Sequence, residues 1–217
     1  VVDFFFNFAA NKKVQKARII FPLTVHKAEK DEQIEKGQWE MERFFMRQGY
    51  YTLLFDNDEQ MQLAKDTSIN QAIVERILLK KDQVKDYVFN RIRGAWMLRE
   101  IRETSIAENL NASFLAFYQH FVTDKAFQVK SLNSMVKFVG PDPDDDFNMM
   151  EGVITPDTWE AFAPELPKKT IYNIIYGEPK PEGSEKIFIL RGISNGMEME
   201  LRFKKVGERW LLMKMTT

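Results

Sequence analysis

Phe4–Gln15 (FFFNFAANKKVQ) returns later in the same chain as Phe117–Gln128 (FYQHFVTDKAFQ), and this recurrence decides how the rest is read. Phe4, Phe8, Lys12 and Gln15 align with Phe117, Phe121, Lys125 and Gln128 at a separation of 113 residues. Both copies set aromatic rings at helical spacing. In the second, Phe114, Phe117, Tyr118 and Phe121 form an i, i+3, i+4, i+7 stripe, the pattern of a helix that buries one face. Asn11 and Asp124 each suit the cap of a short following helix, because a short side-chain oxygen accepts the free amides of a first turn. Pro22, which has no amide donor, is expected to end the first copy of this element.

Working outward, the charged run Lys27–Lys36 reads as a solvated connection. Trp39 then heads a short helical pattern (WEMERFF), whose counterpart holds Trp159 (TPDTWEAFAPELP). Strand-like runs follow at Tyr50–Phe55 (YYTLLF) and Ile171–Tyr176 (IYNIIY), rich in aromatic and β-branched residues. Ile69–Leu79 fits helix or strand by itself, but its partner KIFILRGI is short and β-rich, so both are read as strands. The halves end alike: VKDYVFNRIRGAWMLREI and MEMELRFKKVGERWLLMKM each read as strand, glycine turn, then a strand led by Trp96 or Trp210. The separation widens to 120 at Trp39/Trp159 and returns to 114 at Trp96/Trp210. The differences fall in two polar stretches, the acidic loop PDPDDDF and the connection DNDEQMQLAKDTS, where insertions are tolerated. The expected architecture is α+β in two units, residues 1–104 and 105–217. Each unit has N-terminal helices packed on a curved four-stranded antiparallel meander.

Composition narrows the function. With 44% hydrophobic and 29% charged residues the chain is globular rather than disordered. The net charge of −1, with acidic and basic residues interleaved, argues against nucleic acid and anionic membranes as partners. No cysteine is present, which excludes disulfides, thiolate metal sites and a cysteine nucleophile. No apolar run approaches the roughly 20 residues of a membrane helix. The sequence opens on Val1 rather than Met, so an upstream segment, such as a secretory signal, is expected.

The endings Phe89–Trp96 (FNRIRGAW) and Phe203–Trp210 (FKKVGERW), closing a curved sheet behind an N-terminal helix, resemble the nuclear-transport-factor-two-like fold, or cystatin-like cone. With both copies in one chain, the protein resembles a bacterial family of envelope lipoproteins known as a domain of unknown function. That resemblance implies the cell envelope, periplasmic or lipid-anchored, as compartment. It also implies cones that bind a small apolar ligand or a protein partner. The fold hosts isomerases, dehydratases and cyclases as well as binding modules, so it does not deliver a function by itself.

Candidates follow from chemistry. His120, three residues after Phe117, would be a general base in the second cone, as the rival enzyme reading of isomerase, dehydratase or cyclase type requires. The ordinary alternative is an exposed or packed helix histidine, and its counterpart Asn7 offers no pair. Trp39, Tyr51, Trp159 and Tyr172 would line an apolar pocket; aromatics at matched positions are also ordinary core. Trp39 and Trp159, near the cone mouths, are the better ligand candidates. Asp142, Asp144 and Asp146 suggest calcium, but Phe147 and Val153 stand where a calcium loop needs Gly and Glu, so no metal is assigned. No cofactor motif is present. The third reading, a structural subunit of a surface assembly, requires a sizeable exposed apolar patch. The two halves are expected to pair as an intramolecular pseudo-dimer, covering Tyr87, Phe89 and Phe203.

Overall fold

A computed structural model describes all residues, 1–217, as α+β with two mixed six-stranded sheets. The first half contains helices α1 (Val2–Ala10) and α2 (Lys12–Ala17), strands β1 (Ile19–His26), β2 (Glu32–Ile34) and β3 (Tyr50–Phe55), and helix α3 (Asp58–Leu63). Strands β4 (Gln71–Leu78), β5 (Gln83–Ile92) and β6 (Ala95–Thr104) complete it. The second half repeats the order with α4 (Ala112–Thr123), α5 (Lys125–Lys130), β7 (Leu132–Asp142) and β8 (Asp145–Ile154). It closes with β9 (Thr170–Tyr176), β10 (Glu185–Gly192), β11 (Glu198–Val206) and β12 (Arg209–Thr216). No helix is long and apolar enough to cross a membrane.

The recurring segment is the helix pair that opens each half. Asn11 Oδ1 accepts the amide of Lys13 (3.0 Å) and Asp124 Oδ1 that of Phe127 (3.0 Å), so both caps form as expected. The phenylalanines of α1 and α4 plug their sheets in the same way. Phe89 meets Phe5 and Phe8 edge-on at 5.1 and 5.2 Å, and Phe203 meets Phe114 and Phe121 at 5.2 and 5.4 Å. Phe89 and Phe203 are therefore buried by their own helices, and Tyr87 lies under Phe44 and Glu42 of its own half, so a face-to-face pairing of the sheets is not what covers them.

The glycine turns explain a spacing difference between the repeats. Arg93 (φ 51°) and Gly94 (φ 80°) both adopt positive φ, the requirement of a type I′ hairpin turn. In the second hairpin only Gly207 (φ 63°) does so, at the first turn position, as in type II′. Glycine thus stands second in one turn and first in the other, which gives G-x-W in one half and G-x-x-W in the other.

The four-stranded meander is corrected by the pairing. The sheets run β2-β1-β6-β5-β4-β9 and β3-β10-β11-β12-β7-β8, so the halves have exchanged their third strands. Strand β3 pairs antiparallel with β10 and β9 with β4, while β1 and β7 run parallel to β6 and β12. YYTLLF and IYNIIY carry the same apolar pattern on both faces, so either satisfies either edge, and local sequence cannot choose. The exchanged strands meet where they cross. Thr52 Oγ1 donates to the Tyr172 carbonyl (2.6 Å) and accepts its amide (2.7 Å), and Asn173 Oδ1 accepts the Leu54 amide (2.8 Å). Each apolar core consequently takes residues from both halves: Tyr172, Ile174 and Tyr176 in the first, Leu54, Ile77 and Leu79 in the second.

Other expectations change locally. Pro22 lies inside β1, at a register shift and after a cis Phe21–Pro22 bond, rather than at an element's end. The Lys27–Lys36 run includes β2, which pairs with β1. WEMERFF is not helical; a 3-10 turn at Lys36–Gln38 precedes it and Phe44 holds φ 46°. The acidic loop is the tip of a long β7–β8 hairpin, and the polar connection of the first half contains α3.

Candidate functional site

Each cone mouth carries the same device, a glutamine that holds a tryptophan. Trp39 Nε1 donates to Gln15 Oε1 at 3.0 Å, and Trp159 Nε1 donates to Gln128 Oε1 at 2.8 Å. The amide of each glutamine donates to the carbonyl one helix back, Phe8 at 2.8 Å and Phe121 at 2.9 Å. The identity of Gln15 and Gln128 in the recurring segment thus has a structural cause. It orients an indole across the open end of each cone.

Beyond that device the mouths differ. In the first, the segment after Trp39 folds inward. Phe44 stacks on Phe8 (6.0 Å) and meets Tyr87 (4.9 Å), and Phe45 meets Tyr51 and Tyr172 at 5.1 and 5.5 Å. Glu42 enters with it and is tied on every side. It pairs with Arg76, accepts from Tyr87 Oη (2.9 Å) and takes the Phe44 amide (2.8 Å). Arg76 Nε donates to the Tyr172 hydroxyl at 2.9 Å. Burial works against the Arg76 charge, but Tyr87, Glu42 and Tyr172 around it outweigh that and raise its pKa; burial and then Glu42 raise that of Tyr87. The first cone is full.

In the second mouth the segment after Trp159 stays outside. Phe162 leans on Phe138 (5.7 Å), and the Tyr118 hydroxyl holds the chain by donating to the Pro167 carbonyl (2.8 Å). A cleft of about 720 Å³ remains between α4–α5 and this segment. Phe121, Val129, Trp159 and Leu166 give it apolar walls, and Lys125, Lys168, Glu160 and Glu165 surround them. The lining thus mixes apolar and polar side chains about evenly, with four charged groups at the rim available to orient a ligand.

A third feature lies outside both cones, on the other face of the first sheet. Glu75 of β4 stands opposite Asp86 of β5, which stands opposite Arg102 of β6. Glu75 is buried and accepts from Asn109 Nδ2 (2.7 Å) and Asn173 Nδ2 (3.0 Å), so it ties the exchanged strand to the start of the second half. Burial, reinforced by the Glu75 charge and hydrogen bond, pushes the Asp86 carboxyl up to about 9. Its buried Oδ1 meets no donor, as suits a neutral acid. None of the principal clefts reaches this pair.

The residues singled out from sequence separate accordingly. Trp159 borders the cleft. Trp39, Tyr51 and Tyr172 border none of the principal clefts; all three are packed in the first core, Tyr172 because β9 crosses into it. His120 faces solvent, with its ring beside Phe127 (5.5 Å), and is not inside the second cone. Leu115, Tyr118 and Val122 are buried as well, which turns the inward face of α4 away from His120, roughly 200° around the helix from Tyr118. Asp142, Asp144 and Asp146 do not converge; Asp142 accepts the Asp144 amide of the hairpin turn (2.9 Å). Glu42, Arg76, Glu75 and Asp86 were not singled out. The signal was present in QAIVERIL, where a Glu-Arg pair interrupts a strand apolar on both faces.

The model of the family described as Domain of unknown function (DUF4348) matches residues 1–217. A crystal structure of an NTF2-like protein from Bacteroides fragilis NCTC 9343 is 41% identical, covering 99% of this chain and 94% of that one at a TM-score of 0.88. No curated protein matches.

Proposed function

Because the chain belongs to the DUF4348 family of unknown function and shares the NTF2-like fold, we propose that it is a non-enzymatic binding protein whose second cone takes a small apolar ligand. The observation that carries this is the asymmetry of the two mouths: the glutamine of the Gln–Trp device is covered by the Glu42 backbone in one repeat, with Phe44 and Phe45 packed into the core beside it, whereas in the other both Gln128 and the buried Trp159 border a cleft. The two repeats, residues 1–104 and 105–217, then have different tasks, the first structural and the second receptive. An exposed His120 with no hydrogen-bonded carboxylate offers the isomerase-type reading no base.

A thermal-shift screen against lipids, sterols and glycans tests the proposal. A bound compound is expected to raise the melting temperature and shift the emission of Trp159; the emission change should be lost in Trp159→Phe, and the affinity should fall in Val129→Asp. Val129 sits on the cleft wall, partly exposed, so its replacement by a charge should lower affinity about tenfold without unfolding the chain. Hits that ignore Val129→Asp would place binding elsewhere.

The proposal extends to the compartment: a periplasmic or lipid-anchored protein of the bacterial envelope, from the family resemblance. Reading the start of the gene checks it. The expected result is a signal sequence ending in a lipobox cysteine; a gene opening directly on this domain, with the protein recovered in the cytosol, would count against it.

A further inference from the structure

The outer faces of the two sheets are not alike. On the first, charges satisfy one another: His26 bonds Glu100 (2.9 Å) and Asp31 (3.1 Å), and Glu100 also pairs with Arg99 and Arg102. On the second, Lys137, Lys204 and Lys214 border a cleft of about 360 Å³ together with Met135 and Met213, and none of the three lysines reaches a carboxylate. Asp58 and Glu185 also border this cleft; Asp58 is held by Arg202, so the lysines outnumber the free carboxylates.

Beside the cleft, β7 and β8 run on as a hairpin arm whose outer edge is unpaired. Val136 and Ile154 point inward, so alternation puts Met135, Lys137, Val139, Pro141, Met149, Glu151 and Val153 on the outer face. At the tip Phe147 is 97% exposed, between Asp144 and Asp146 on one side and Met149 on the other. A long strand edge with exposed apolar side chains is a feature proteins normally cover. The arm's root is basic and cleft-shaped, and its tip is acidic and carries a ring.

We propose that this arm is a homodimerisation element: two copies of the chain pack their arms antiparallel, outer face to outer face, and each seats Phe147 and its aspartates in the lysine–methionine cleft of the other. A two-fold axis perpendicular to the arms produces this geometry. When two identical arms lie antiparallel, the tip of each falls over the root of its partner, so one patch serves as donor and acceptor at once. The charges then complement each other twice, and the side chains of Val139, Met149 and Val153 on both arms leave water together, with Glu151 at the edge of the patch. The seven-residue surplus of the second half, read first as a loop insertion, lengthens the hairpin that reaches across.

Sedimentation equilibrium of the full chain tests this with two charge reversals. Lys137→Glu/Lys214→Glu and Asp144→Lys/Asp146→Lys alter exposed or partly exposed side chains that make no hydrogen bond, so unchanged melting curves are expected to confirm folding. The wild type should be a dimer that weakens with salt, and each double variant should raise the dissociation constant at least about tenfold. Mixed in equal amounts, the two variants should restore a heterodimer, because the reversed tip then meets the reversed cleft on one side and the native tip meets the native cleft on the other. A monomeric wild type overturns the proposal. So does a dimer indifferent to both reversals, or monomeric variants that fail to combine. Binding of the wild type to vesicles of anionic lipid in place of self-association would also overturn it, assigning the cleft to a headgroup.

Discussion

Arg76→Ala is expected to be among the most destabilising substitutions in this protein, at about 3–5 kcal/mol, although Arg76 lies in no open cleft. The guanidinium is the only cation paired with Glu42, and it also supports the Tyr172 hydroxyl across the exchanged strand. Removing it leaves a largely buried carboxylate with Tyr87 and one backbone amide as partners, and opens a void against two aromatic rings. Replacing both partners, Glu42→Gln with Arg76→Met, should recover much of the loss, because two buried charges are expensive to desolvate even when paired. Urea denaturation of the single and double variants measures this. Equal losses in the two would mean that packing alone, and no charge coupling, accounts for the site.

The second large effect is a pH dependence centred on Asp86. Its folded pKa lies near 9 and its unfolded value near the ordinary ~3.9, so the folded state binds more protons between those limits. The stabilising contribution is complete below about pH 4, declines as pH rises through the window, and is lost above about pH 9. The slope from this group is on the order of 1 kcal/mol per pH unit. Glu75, Arg102, Asn109 and Asn173 are the polar groups around it; Glu75 pushes the same way as burial and Arg102 opposes them. Asp86→Asn keeps a donor toward Glu75 and removes the titration. The variant should therefore be more stable than the wild type at about pH 8, and its denaturation midpoint should change less between about pH 5 and 8. An unaltered slope in Asp86→Asn would mean that the dependence comes from other groups.

These two predictions fall on residues that sequence reading passed over, and the reason is the same for both. Glu42 and Arg76, like Glu75 and Asp86, are separated along the chain, and nothing in a local window says that a charged side chain has its partner inside the fold. QAIVERIL showed that something had to neutralise Glu75 and Arg76, because both faces of the strand are otherwise apolar. It did not show which residues would do so.

The opening segments, by contrast, were legible in detail. Ring spacing on α1 and α4, the Asn11 and Asp124 caps and the glycine turns are properties of contiguous residues with fixed periodicity, and they fold as the pattern requires. Even the recurrence of Gln15 as Gln128 was visible, although its task of holding a tryptophan was not.

Contiguous residues alone lay down the duplicated plan: aromatic helix, short capped helix, and strands ending on a glycine hairpin led by tryptophan. Periodicity and turn chemistry act over a few residues, and the two copies say the same thing twice. Only the tertiary structure decided which half owns which strand, and with it where Tyr172 and Trp159 lie. YYTLLF and IYNIIY satisfy either sheet edge equally well, so the choice rests on contacts more than a hundred residues apart, among them Thr52 with Tyr172 and Leu54 with Asn173. The same crossing that carries Tyr172 into the first core belongs to a fold in which one cone is filled by Glu42, Phe44 and Phe45 while the other keeps a cleft beside Trp159.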